Sequence, residues 1–266
     1  MSGHVQLRQD AGIAWVTLAH AGKFNAMSRA MWLQLKAVFQ QIQADVSLRC
    51  VVVQGADGHF CAGGDIAEYP SFRFDSELLA RFHEQEVWGG LQSMLDCDVP
   101  ILALIDGNCM GAGLEIASCC DIRLAASTAR FGAPIARLGF PMAPREAALV
   151  AGAVGPTIAR AMLLAAEVFG APDLLACGFL TRVFDADALD AQATAWTERV
   201  AALAPQAARM NKQTLRMFCM PNQPAARIET AQVAPETIAN PAYGYADSAE
   251  HREGIDAFLN KRKPEF

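Results

Sequence analysis

The stretch Ile101–Ile116 reads ILALIDGNCMGAGLEI. Its first five residues are all apolar, the pattern of a short strand buried on both faces. Asp106 and Gly107 end the strand, and a helix begins near Ala112. The same order occurs upstream in CVVVQGADGHFCAGGDI, Cys50 to Ile66. Helix starts leave backbone N–H groups unpaired and carry partial positive charge. Glycine and alanine let a ligand approach that backbone closely. Two such starts facing each other would offer two N–H donors to one oxygen, which is the design of an oxyanion hole. Taken alone, each turn also reads as plain punctuation of an α/β chain. Neither carries a G-x-x-x-x-G-K-[ST] loop, an in-register G-x-G-x-x-G or a G-x-S-x-G elbow, so the common phosphate loops and the hydrolase nucleophile are excluded.

Outward from these turns the chain alternates strands and helices. Gly12 to Ala19 (GIAWVTLA) reads as a strand, and HAGKFNAMS follows as a turn. Ser28 is placed to cap a helix with Met31, Leu35, Val38, Phe39 and Ile42 on one face. A helical region is expected from about Ser76 to Leu95, and Asp98, Val99 and Pro100 break it before the next strand. Ile122 to Ala126 is strand-like again. Beyond about Ala186 strand signals stop and alanine-rich helical stretches take over. The expected architecture is therefore an α/β core over residues 1–195 and a helical region over 196–266.

Composition narrows the function. The chain has 266 residues, enough for one large domain or a domain with an appended segment. Charged residues make up 19%, below the usual quarter, which points to a buried interface as well as a core. A net charge of −6 gives no general attraction to nucleic acid or anionic membrane. No apolar run is long enough to span a bilayer, and MSGHVQLRQD lacks the apolar stretch of a signal peptide, so a cytosolic protein is expected. Eight cysteines are scattered through apolar runs without a C-x-x-C pair, so reduced, mostly buried thiols are expected. Five dispersed histidines show no ligand spacing, and no metal site is expected.

FCAGGDI (Phe60 to Ile66) and GNCMGAGLEIASCCDIRLA (Gly107 to Ala125) closely resemble the signature of the enoyl-CoA hydratase/isomerase, or crotonase, family. GKFNAMS (Gly22 to Ser28), FGAPIARLGFP (Phe131 to Pro141) and EHREGIDAFLNKRKPEF (Glu250 to Phe266) agree with it in order and spacing. The resemblance covers nearly the whole chain. It implies a ββα spiral core with a C-terminal helical trimerisation region, acyl-CoA as substrate, no permanently bound cofactor, and assembly as a homotrimer or a dimer of trimers.

By motif position the resemblance puts the two oxyanion N–H groups on Gly64 and Ala112. Coenzyme A contacts fall on Lys23, Phe24, Ala62, Gly64, Asp65 and Ile66, and on Phe258 and Lys261 near the C-terminus. Glu115 matches one of the two glutamates used by hydratases. It lies one helical turn beyond Ala112, and its apolar neighbours Leu114 and Ile116 argue for burial. A buried carboxylate is costly unless something uses it. The other reading is that Glu115 merely complements the helix dipole.

Ile135 stands where many relatives carry the second glutamate, and the following glycine-rich turn is replaced by PMAPREAAL. Arg137, Arg145 and Glu146 lie near that segment and are candidates to enter the pocket, with exposed loop charges the commoner reading. His59 and His83 are also candidate pocket groups, with a structural role the commoner reading. Three functions follow from this pattern. The first is hydration of 2-enoyl-CoA with Glu115 as acid/base and its partner unidentified. The second is isomerisation or other enolate chemistry on a specialised acyl-CoA. The third is binding of CoA esters with little catalysis.

Overall fold

The computed structural model describes residues 2–218 and 243–266. The chain divides into two compact units, Met1–Thr197 and Glu198–Phe266. The part of the expected C-terminal helical region at 219–242 lies outside the described residues.

In the first unit, two sheets form. The strands are β1 (His4–Asp10), β2 (Ile13–Ala19), β3 (Cys50–Gly55), β4 (Ile101–Ile105), β5 (Asn108–Met110), β6 (Ile122–Ala126), β7 (Arg130–Gly132), β8 (Val168–Gly170) and β9 (Arg182–Phe184). One sheet runs β1-β2-β3-β4-β6-β9 and the other β5-β7-β8. β1 pairs antiparallel with β2, and every later pairing in the large sheet is parallel. All five residues of β4 are buried, as its continuous apolar run requires. In β2, Ala14, Val16 and Leu18 are buried while the residues between them are partly exposed, the period of a strand with one face on the core.

The helices of this unit are α1 (Arg29–Ala44), α2 (Ser76–Arg81), α3 (Trp88–Leu95), α4 (Ala112–Ser118), α5 (Pro144–Val154), α6 (Pro156–Leu164) and α7 (Ala171–Ala176). Helix α8 (Leu189–Ala201) runs into the second unit. The Ser28 side chain caps α1 by accepting from the Met31 N–H at 3.3 Å. Met31, Trp32, Leu35, Phe39 and Ile42 are buried, and each contributes about 1.5–3 kcal/mol of burial.

The helical region expected from about Ser76 to Leu95 is not regular. A π-helical turn, Phe82–Val87, separates α2 from α3. Such wide turns often mark functional positions. This one carries His83 and Val87 into the cavity described below.

The second unit contains α9 (Pro205–Phe218) and α10 (Ala249–Leu259). Ser248 caps α10 through the His251 N–H at 3.2 Å. The tail folds back on α10. Arg262 bonds Glu253 at 2.6 and 2.7 Å and Asp256 at 2.6 Å.

Among the described residues no helix is long and apolar enough to cross a membrane. The described cysteines are free thiols, all buried except Cys177.

Candidate active site

The two glycine-rich turns are bound directly to each other. The Phe60 N–H donates to Asp106 O, the Cys61 N–H to Asn108 O and the Met110 N–H to Cys61 O, each at 2.8 Å. Gly113 brings α4 so close to the first turn that a Cβ there would lie 2.6 Å from the Cys61 carbonyl oxygen. At Gly111, with φ +46°, a Cβ would lie 3.6 Å from Gly63 Cα. Glycine is needed at both places, for the close approach at 113 and for the positive φ at 111.

This lacing puts Gly64 and Ala112 in the wall of one cavity of about 330 Å³. The Asp65 N–H donates to Met27 O and the Met27 N–H to Gly63 O, which leaves the intervening Gly64 N–H out of the ladder. Ala112 is the first residue of α4, where no carbonyl of the preceding turn is in place to accept from its N–H. Neither N–H has an acceptor among the described residues. Tyr69 presses on the same spot, since a Cβ on Gly64 would meet its Oη at 2.3 Å. Burial, helped by the nearby carboxylates of Glu115, Glu146 and Asp65, raises the Tyr69 pKa to about 12 against the opposing Arg73, so the phenol keeps its proton.

Glu115 lies on α4 within a run of buried residues and faces this cavity. Burial pushes its pKa well above the usual carboxylate range, and the Glu146 carboxylate adds to the rise. Glu146 itself was expected to be an exposed loop charge. The structure corrects this: Glu146 is 4% exposed and lines the same cavity. His83, expected to be structural, also lines the cavity, with Nδ1 2.8 Å from Glu146 Oε1. The Nδ1–H tautomer donates there to a carboxylate.

Helical phase explains both outcomes. α5 begins at Pro144, and Glu146, Val150 and Val154 are its buried residues, spaced four apart on one face. That spacing is present in the sequence and would have placed Glu146 on the apolar stripe. Arg145, one residue earlier, points outward and pairs with Glu84 at 3.3 Å. Ile135 lines the cavity as an apolar residue. His59 stays outside it, where Nδ1 accepts from the Asn108 N–H at 3.2 Å.

Of the residues to which coenzyme A contacts were carried over, Lys23, Phe24, Ala62, Gly64, Asp65 and Ile66 gather around the first turn. The Ala62 N–H donates to Phe24 O at 3.0 Å. Lys23 Nζ pairs with the buried Asp65 carboxylate at 2.6 Å, and Asp65 caps the 3₁₀ turn Ile66–Ser71 through the Ala67 N–H. Phe24 and Ile66 are exposed. Phe258 and Lys261 belong to the second unit, at the end of α10, with Phe258 81% exposed. Among the described residues no group of three or more potential metal ligands occurs.

Two N–H groups without an acceptor among the described residues and two buried acidic side chains thus belong to the wall of one largely apolar cavity. Residues 8–266 match the sequence model of the family described as enoyl-CoA hydratase/isomerase. A 2,3-dehydroadipyl-CoA hydratase of Escherichia coli (strain K12) is 28% identical over 268 residues, covering 100% of this chain and 99% of that protein. A mevalonyl-coenzyme A hydratase of Beauveria bassiana is 27% identical over 257 residues, covering 94% of this chain and 89% of that protein. The crystal structure of an enoyl-CoA hydratase/carnithine racemase from Magnetospirillum magneticum superposes with a TM-score of 0.91 at 34% identity, covering 98% of this chain and 94% of that one. The chain belongs to the enoyl-CoA hydratase/isomerase family and has its crotonase-type α/β fold. It is an enzyme of the hydratase/isomerase kind, and members of this family use CoA thioester substrates without a permanent cofactor.

Proposed function

We propose that this enzyme adds water across the double bond of a 2-enoyl-CoA. The observation that carries the reading is the second buried acidic side chain: Glu115 and Glu146 line one cavity together with Gly64 and Ala112. In this reading the two N–H groups hold the thioester oxygen. As water attacks the β-carbon, the double-bond electrons move onto that oxygen and form the enolate. Each fixed donor contributes about 3 kcal/mol to the transition state.

Glu146, oriented by His83, takes the proton from water. Glu115, which burial keeps protonated, delivers its proton to the α-carbon. After one turnover the two have exchanged roles, and a proton must pass between them or through solvent to reset the site. A two-carboxylate mechanism therefore remains available although position 135 is isoleucine.

The hydratases among the relatives support the choice of reaction. Lys23, Phe24, Ala62, Asp65, Ile66, Phe258 and Lys261 are assigned to the coenzyme A portion. Residues 1–195 act as the acyl-CoA-binding core and 196–266 as the oligomerisation region of a trimer or dimer of trimers. Work in the reducing cytosol fits the free thiols.

The test is crotonyl-CoA hydration by Glu115→Gln and Glu146→Gln. Each is expected to lose about 100-fold or more in kcat. An E146Q enzyme with wild-type turnover would remove Glu146 from the mechanism. A wild-type enzyme that only shifts the double bond of 3-enoyl-CoA would replace hydration by isomerisation.

A further inference from the structure

One cation in the cavity wall has no use in the hydration chemistry. Arg73 follows the 3₁₀ turn Ile66–Ser71 and lines the cavity. Its guanidinium lies 3.4 Å from the Phe140 ring centroid and 4.6 Å from that of Tyr69, and both rings also line the cavity. Stacking of this kind fixes the plane of the guanidinium and leaves its N–H groups on the edge. Among the described residues no hydrogen bond or ion pair reaches that side chain. Tyr69 and Glu146 act on it only through space. Leu138, Phe140 and Met142 add apolar wall to the same cavity.

A neutral acyl chain would fill such a wall but would strip water from the half-buried guanidinium without replacing its hydrogen bonds, which is unfavourable. A carboxylate at the far end of the chain would accept two parallel N–H bonds from the same fork. We propose that the acyl group of the substrate ends in a carboxylate that Arg73 receives, so that the enzyme acts on the CoA thioester of an unsaturated dicarboxylic acid. This assignment rests on the hydration reading for the reaction and adds the substrate class. The phosphates of coenzyme A are the other anions within the same ligand, so the experiment separates the two.

The experiment compares kcat/KM for two 2-enoyl-CoA substrates of equal chain length, one ending in a methyl group and one in a carboxylate. Wild type is expected to prefer the carboxylate by at least tenfold. Arg73→Met should bring that ratio to near one, and Arg73→Lys should keep part of it. Equal wild-type rates on the two substrates overturn the proposal. So does an R73M enzyme that loses activity on both substrates by the same factor, as it would if Arg73 held a phosphate or only supported the fold.

Calorimetric binding of the matching saturated thioesters to wild type reads the discrimination without any chemistry. Tighter binding of the carboxylate-ended thioester supports the Arg73 assignment even if neither enoyl substrate is hydrated, a result that would sink the hydration reading alone. Equal binding of the two overturns the Arg73 assignment alone.

Discussion

At the scale of single residues, Glu115 is held where its charge is least welcome. Burial raises its pKa, and the neighbouring Glu146 carboxylate raises it further. The native state therefore keeps this proton to higher pH than the unfolded chain, whose carboxyl titrates near 4.5. Between 4.5 and the raised value the folded protein binds more protons, so stability falls as pH rises through that window. Glu115→Gln cannot ionise and escapes the loss. The variant should melt at a higher temperature than wild type at pH 7.5, with the margin shrinking as the pH is lowered toward 4.5. Melting curves across that range check this, and an equal Tm at pH 7.5 would show that the carboxyl ionises freely in the fold. Together with the expected loss of hydration, this would make Glu115 a residue kept for chemistry at the expense of stability.

Among elements, the start of α4 is held by the tightest backbone approach between the two turns, and the proposed mechanism rests on its Ala112 N–H. The Cβ of Gly113→Ala would sit 2.6 Å from a backbone oxygen, Cys61 O, which has nowhere to go because the turns are laced together. Helix and turn must separate, moving the Ala112 N–H. G113A should lose about 1–3 kcal/mol of stability and at least tenfold in kcat. Gly64→Ala meets only the tip of Tyr69, which can swing aside, so its Tm should fall less. Melting temperature and turnover of the two variants, compared side by side, check the distinction. A G113A enzyme as stable as wild type would show that α4 can shift freely.

The same element shows what a sequence can reveal. ILALI is apolar throughout because β4 is covered on both faces, and the glycines after it are needed where two backbones touch, so strand, turn and helix were all legible. β1 was not. HVQLRQD is an edge strand with its side chains exposed or only partly buried, and its order comes from pairing with β2. The π-helical turn at Phe82–Val87 leaves no periodic mark either, because one wide turn shifts the phase of the helix without interrupting its composition. Ile135 drew attention to an empty place in the motif, whereas the second buried acidic side chain of the cavity arrives from α5, eleven residues later. Motif position tracks the chain, but a cavity is assembled from whatever side chains reach it.

At the scale of the whole molecule, the end of α10 shows apolar side chains to solvent. Phe258 and Leu259 are 81% and 71% exposed at the end of α10, and Ile255 on the same helix is 54% exposed. Exposed patches of this kind mark interaction surfaces. The scarcity of charge, 19% of the chain, points the same way. If residues 196–266 hold a trimer together, light scattering should return about three times the chain mass of 28.5 kDa, or twice that again for paired trimers. Placing charge on the patch with Phe258→Glu and Leu259→Glu together should lower the mass toward that of one chain, since a closed assembly cannot bury unpaired carboxylates at its contacts. The proposed mechanism uses no residue of that patch at the reacting carbons, so the dissociated variant should lose affinity for CoA esters more than it loses kcat. A wild-type monomer at working concentration would instead leave the apolar end of α10 to the coenzyme alone.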